Sequence, residues 1–228
     1  MHKSIQTYQS GAIGTINNLG KFDADFFGFS VEQAHACDPM LRMLLEHSYE
    51  AVIDAGINPK QLRGKNTAVI IGVAFNETQK KLLYQDLQIE KIIDKYITFD
   101  NAANGYSRSE IVAALYLQKA KNAKRIYATC PHIKINSDVY KEEGITFPST
   151  LVQSTLLMEL YNECGIPTSC LDYIEAHETG TRAGDPAEIN AINNVLCKNR
   201  ENPLMIGSVK SNLGHAEPAS GFSQIAKV

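Results

Sequence analysis

The chain has 228 residues, enough for one large domain or two small ones around a substantial core. Hydrophobic residues make up 44%, charged residues 21%, and the net charge is −3, a balance that argues against disorder and against nucleic acid or an anionic membrane as partner. No apolar run reaches the length of a membrane span, and residues 1–19 lack the apolar core of a secretory signal, so a cytoplasmic protein is expected. Five scattered cysteines, Cys37, Cys130, Cys164, Cys170 and Cys197, fit reduced thiols better than a disulfide framework. The spacing of Cys164, Cys170 and His177 matches no common zinc site, and no metal is expected.

Residues 1–21 are polar, without apolar periodicity, and read as an arm ahead of a body over 22–228. A core helix is predicted over 38–55. Asp38 can accept from its first free amides, Pro39 is preset for the first turn, Leu41, Leu44, Leu45, Tyr49 and Val52 form an apolar stripe, and Gly56 ends it. TAVIIGV at 67–73 is the pattern of a strand covered on both faces. Over 78–96, Leu82, Leu83, Leu87, Ile92, Ile93 and Tyr96 fall at roughly helical spacing. Runs at 110–118 and 125–130 predict two strands in an edge hairpin around the basic turn AKNAK.

A helix over 151–164 closed by Gly165 and a buried strand over 173–176 follow. The next helix starts at Asp185, with Pro186 in its first turn and Glu188 placed for a capping box; a strand over 204–209 and a helix from Ala219 complete the chain. Mixed strand and helix order predicts an α/β layered domain. Strand, loop with histidine, and helix occur in that order twice, around His177 in YIEAHETGTRAGDPAE and around His215 in IGSVKSNLGHAEPASG. Such loops present polar side chains at strand ends. A neutral imidazole can donate to a developing oxyanion, and two converging on one such oxygen are worth roughly 3 kcal/mol of transition-state stabilisation.

These loops, with FDADFFGFSVEQAHACDPMLRMLLEHSYEAVIDAGINP at 22–59, IIGVAFNET ending at Thr78, FDNAANGYSRSE at 99–110 and GITFPS at 144–149, resemble in order the landmarks of the β-ketoacyl synthase (condensing) domain of animal-type fatty acid synthases and related polyketide synthases. GHAEPASG is closer to the animal fatty acid synthase form. The resemblance implies a thiolase-like layered α/β fold and decarboxylative condensation of acyl and malonyl thioesters. It implies His177 and His215 as the catalytic pair stabilising enolate and oxyanion, with Lys210 supporting them. Thr179 and Thr181 match hydroxyls that contact the phosphopantetheine arm of acyl carrier protein. It implies no cofactor bound by the domain itself, acyl carrier protein as partner, and a homodimer in the intact parent.

Several positions depart from that pattern. The family's nucleophilic cysteine belongs between the landmarks ending at Thr78 and beginning at Phe99, but residues 79–98 contain no cysteine, which reads as an internal deletion. The first strand and last strands of the family's fold are also expected to be absent. Cys130 is a poor substitute, with no helix start behind it to lower its pKa, and reads as a small core residue. Cys37 has the Asp38 carboxylate beside it, which opposes a thiolate. Glu178 stands where the family has glycine; its charge either raises the pKa of His177 and favours imidazolium, or points to solvent. The expected function is thus that of a partial β-ketoacyl synthase of a fatty acid synthase, unable to complete condensation. The alternative is an inactive relative serving as a carrier-binding or dimerisation module, and residual decarboxylation is a third reading.

Overall fold

The first helices each begin where a short polar side chain meets an amide that the helix itself leaves free. Asp23 accepts from the Phe26 amide ahead of α1 (Ala24–Phe27), and Ser30 and Gln33 form a reciprocal capping box on α2 (Val31–Ala36). Asp38 accepts from the Met40 amide at 2.8 Å to open α3 (Pro39–Asp54), with Pro39 in the first turn as predicted. The chain leaves α3 through Gly56, whose φ of 74° lies in the left-handed region that glycine adopts without strain.

The computed structural model describes residues 14–73, 105–198 and 200–228. The helix expected over 78–96 and the deletion expected near 79–98 lie outside them. Most of the expected arm, residues 1–13, also lies outside them; beyond it Gly14 donates to Leu213 and accepts from Glu110, and the Ile16 amide donates to the Glu110 carboxylate.

Aromatic packing joins α1 to α3. Phe26 meets Tyr49 edge-on at 4.8 Å, while Phe22 stacks on Phe27 at 5.4 Å and meets Phe29 at 5.5 Å. Contacts of this kind contribute about 0.5–1.5 kcal/mol each beyond area burial. The stripe on α3 is less covered than a core helix requires, since Leu41 and Tyr49 remain exposed and no residue of the helix is fully buried.

Among the described residues the buried apolar ones are Ala176, Ala187, Ala191, Ile192, Leu196 and Val209. They belong to the second half of the chain, where β1 (Tyr173–Glu175) pairs in parallel with β2 (Met205–Gly207) in the register Tyr173↔Met205, Ile174↔Ile206, Glu175↔Gly207. The Ala176 amide extends the ladder to the Gly207 carbonyl. Between the strands runs α5 (Gly184–Leu196), a right-handed crossover's usual occupant, packed against α4 (Thr150–Cys164). Gly165 closes α4 with φ 67°, as predicted. After β2 come α6 (Lys210–Leu213) and α7 (Ser220–Lys227), the latter at the helix start read from Ala219.

Three strand expectations are corrected. Residues 67–73 are extended but unpaired, and Ile70 is 94% exposed rather than covered on both faces. Residues 110–118 and 125–130 form no hairpin; a short 3₁₀ turn, Ala120–Asn122, separates them. Apolar, β-branched composition makes a strand only when a neighbour supplies the amides and carbonyls, and no such neighbour is among the described residues. The second run is held by polar side chains instead. Arg125 and Tyr127 reach Asp54 at the end of α3, Lys124 donates to the Gly56 carbonyl, and Lys134 pairs with Glu159 and Glu163 of α4.

Because Ile70 touches water on nearly all its surface, Ile70→Lys is expected to leave folding stability within about 0.5 kcal/mol of the parent while lowering self-association. Denaturant melts together with light scattering check this; a large loss of stability would show that the side chain is covered in solution.

Candidate active site

The first histidine loop is shaped by carboxylates. Glu175, at the end of β1, accepts from the Val209 amide and the Tyr173 hydroxyl and pairs with Lys227 of α7 at 2.9 Å. One side chain thereby joins the end of β1 to the turn after β2 and to α7. Burial works to raise its pKa, but these donors hold it below the usual carboxylate value. Beyond it, Glu188 from α5 accepts the amides of His177 at 2.6 Å and Glu178 at 2.8 Å, one on each oxygen, and Asp185 accepts from Gly180 at 3.1 Å.

This corrects the predicted capping box. The helix starts a residue earlier, at Gly184, with no side-chain cap at Ala183. Asp185 in its first turn and Glu188 in its second turn back onto the loop, where the amides of a tight bend offer them charge-assisted bonds. The sequence signal was the spacing from His177 to Asp185 and Glu188, read as capping when it serves the preceding loop.

The second loop depends on glycine. Gly214 has φ 86°, and a Cβ there would lie 2.7 Å from the Ser107 carbonyl oxygen. That close approach lets the His215 amide donate to Ser107 at 2.8 Å while Ser109 donates to the His215 carbonyl at 3.1 Å, a short parallel bridge. Two residues upstream of Ser107, Gly105 donates to the Gly180 carbonyl of the first loop at 3.0 Å. Residues 105–109 thus hold both loops.

The result is a pair of imidazoles with ring centres 5.3 Å apart and planes at 85°. His215 is buried, and His177 is exposed. Lys210, at the start of α6, is fully buried, and neither its Nζ nor His215 Nδ1 has a hydrogen-bond partner among the described residues. Thr179 is buried and lines a cleft with His177, Glu178, Asp185, Glu188 and Pro148. Thr181 faces elsewhere in the network: its hydroxyl lies 3.2 Å from that of Thr179 and accepts from the Gly184 amide.

Desolvation dominates the titration of these groups. It pushes His215 from the ordinary 6.5 to about 4, aided by the charges of His177 and Lys210. His177 is displaced in the same direction, first by desolvation and then by Lys210. The suggestion that Glu178 favours an imidazolium is therefore not met, and Glu178 is not in solvent either: it is 1% exposed, with φ 39°. Its carboxylate acts on Lys210. Burial lowers the Lys210 pKa, while Glu188, Glu175 and Glu178 pull it back up. Glu188 is raised by burial, against the pull of its two amide donors.

The cysteines stand apart from this cluster. Cys130 is exposed, with Sγ toward the His132 carbonyl, so it is not the core residue expected, and Cys37 is half-buried at the end of α2. Sequence reasoning did not single out Tyr106 or Glu217. The Tyr106 ring meets His215 edge-on at 4.7 Å, and its hydroxyl donates to Glu217.

Two family models match the chain: the β-ketoacyl synthase N-terminal domain over residues 3–95 and the β-ketoacyl synthase C-terminal domain over 127–228. A fatty acid synthase from Anser anser anser is 35% identical over 293 residues, covering 94% of this chain and 83% of that protein. The hybrid PKS-NRPS synthetase pynA of Aspergillus niger is 31% identical, covering 92% of this chain but 7% of its own length. Among solved structures, the ketosynthase from module 6 of the bacillaene synthase of Bacillus subtilis 168 is similar with a TM-score of 0.76 at 24% identity, covering 93% of this chain and 51% of that one. That likeness establishes the fold, the thiolase-like arrangement of ketosynthase domains. The goose alignment, of 293 positions, is longer than this chain of 228 residues, so part of it has no counterpart here.

The depressed His215 pKa has a consequence for stability. Burial holds folded His215 to a pKa of about 4, whereas the unfolded chain protonates near 6.5, so between these values the unfolded state holds the extra proton and stability falls as the pH is lowered. The loss attributable to His215 reaches up to about 3 kcal/mol at the acid end. Denaturant unfolding of the parent and His215→Gln between pH 7.5 and 4 measures it; equal slopes in the two proteins would refute it.

Proposed function

Since the chain belongs to the β-ketoacyl synthase family, we propose that His177, His215 and Lys210 form the decarboxylating half of its condensation site, acting on a malonyl thioester. The observation that carries this reading is the pair of imidazoles, ring centres 5.3 Å apart, close to a fully buried lysine, with polar atoms of His215 and Lys210 lacking protein partners among the described residues. Buried polar groups are normally satisfied, so such atoms suit a substrate that supplies the missing bond.

In the proposed step the bond between the malonyl carboxylate and the α-carbon breaks. Carbon dioxide leaves, and the bonding electrons pass into the thioester carbonyl to give an enolate. The two imidazole N–H groups donate to its oxygen as charge develops there. Being neutral at pH 7, they donate without adding positive charge, while Lys210 supplies the electrostatic field of a cation partly neutralised by Glu188, Glu175 and Glu178. Glu188 acts through the backbone by fixing the amides of His177 and Glu178.

The enolate carbon has two fates. Condensation requires an acyl group held on a thiol, and residues 79–98 carry none. Protonation requires only water, so this chain converts malonyl thioester to acetyl thioester and carbon dioxide. The unmatched positions of the goose relative agree with loss of the nucleophile-bearing segment, which we place between Thr78 and Phe99. Thr179, on the cleft wall, is assigned to the phosphopantetheine arm of acyl carrier protein, with Thr181 supporting it through their hydroxyl contact. Pairing of two copies belongs to the same reading of the intact parent. No helix among the described residues is long and apolar enough to cross a membrane.

Incubation with malonyl-loaded carrier protein is expected to release carbon dioxide and leave acetyl-carrier protein. No condensed product should form when acyl-carrier protein is added. His215→Ala is expected to lower the release about 100-fold or more, on the scale of an oxyanion donor lost. No release from the parent chain, or release unaffected by His215→Ala, overturns the assignment.

A further inference from the structure

Residues 105–109 hold the His215 backbone, but a backbone bridge does not orient an imidazole. We infer that Tyr106, Glu217 and Arg108 form a linked unit that fixes the His215 ring for the reaction proposed above, Tyr106 and Glu217 being its positioning residues. Tyr106 and Arg108 flank Ser107, whose carbonyl accepts the His215 amide. From one side of Ser107 the Tyr106 ring meets the His215 ring edge-on at 4.7 Å and 73°. Its hydroxyl donates to Glu217 Oε1 at 3.1 Å, and the same oxygen lies 3.1 Å from Arg108 Nε on the other side. Glu217 is two residues beyond His215, so the unit closes on the histidine's own loop.

The backbone agrees with this role. Glu217 has φ 45°, a left-handed conformation unfavourable for a residue with a side chain, and its carboxylate is engaged twice on one oxygen. Strain of order 1–3 kcal/mol persists only where surrounding contacts impose it. Burial and the Glu217 charge raise the Tyr106 pKa, which keeps the phenol protonated and donating. With His177 at 5.3 Å on another face, the His215 ring is bounded by two rings. The motifs SRSE and GHAEPASG, separate in sequence, interlock at this point.

The test uses the full chain labelled with ¹³C-histidine and reads the His215 ring resonances, assigned by their loss in His215→Gln. The groups facing His215 are His177 and Lys210, with Arg108 and Glu217 acting through the Tyr106 contact. Tyr106→Leu is expected to move the ring resonances and raise the titration midpoint from about 4 toward 6.5, as water reaches the ring. Tyr106→Phe, which keeps the ring, is expected to preserve the midpoint. Glu217→Ala is expected to shift the resonances and lower kcat for carbon dioxide release about tenfold to a hundredfold with little change in KM, as for a misplaced catalytic group. Glu217→Gln, which keeps an acceptor for the Tyr106 hydroxyl, is expected to restore most of that loss. Unchanged His215 resonances in both Tyr106→Leu and Glu217→Ala overturn the inference. Absence of carbon dioxide release by the parent chain defeats the proposed function alone, because the resonances still decide the inference.

Discussion

Residues 105–109 are hydrogen-bonded to both histidine loops at once, and the site's geometry follows from that constraint. Gly105 binds the Gly180 carbonyl, Ser107 and Ser109 bracket His215, and Gly14 ties the neighbouring Leu213 and Glu110. Each backbone bond contributes only about 0.5–1.5 kcal/mol net. Their value is positional: a strand-like stitch with fixed spacing allows little independent movement of the two loops. The apolar residues that could do this work are few and lie behind the site, around β1, α5 and the turn after β2. Glycine at 214 is what admits the stitch, since any Cβ would meet the Ser107 carbonyl.

Charge burial is organised around the same frame. An isolated buried lysine is expensive, and Lys210 is fully buried without a direct hydrogen-bond partner among the described residues. Glu188, Glu175 and Glu178 compensate through space, although Glu175 and Glu188 are already committed to amides that shape the loops. Each of these two carboxylates therefore performs two tasks, fixing the backbone and setting the potential at Lys210. The balance leaves the imidazoles neutral, because desolvation and the lysine charge act on them in the same direction. Glu178 belongs to this balance through Lys210, which explains why an acid beside His177 does not create an imidazolium.

Local signals in the sequence were legible where one side chain decides one structural event. Asp38 with Pro39 starts α3, Gly165 ends α4, and the two histidine loops follow short parallel strands. Signals requiring a distant partner were not. TAVIIGV has strand composition but meets no strand among the described residues, and the 110–130 region is held by Asp54, Glu159 and Glu163 rather than by a ladder. Glu188 was misread for a related reason. Its spacing satisfies a capping box, and only the folded loop reveals two amides that take one oxygen each of the same carboxylate. Tyr106 and Glu217 carry no local signature at all, since their meaning arises when two motifs far apart in sequence touch.

The hydrogen bonds that hold the chemistry do not pass through the unpaired segment at 67–73 or the run at 125–130. His177, Lys210 and His215 are supported by β1, β2, α5, α6 and residues 105–109, linked to one another through the two histidine loops. Exposed apolar residues occur outside that frame, at Val69, Ile70, Ile133 and Ile135, and also within it, at Met205 and Ile206 of β2 and Leu213 of α6. A loss of chain between the family's landmarks removes the thiol and its surroundings, yet it removes none of the bonds just named. Enolate stabilisation needs donors held in place, supplied by the two histidine loops together with residues 105–109; carbon–carbon bond formation needs an acyl group brought to that enolate on a nucleophile. The two requirements are thus structurally separable in this fold, and the present chain retains the residues for the first without those for the second.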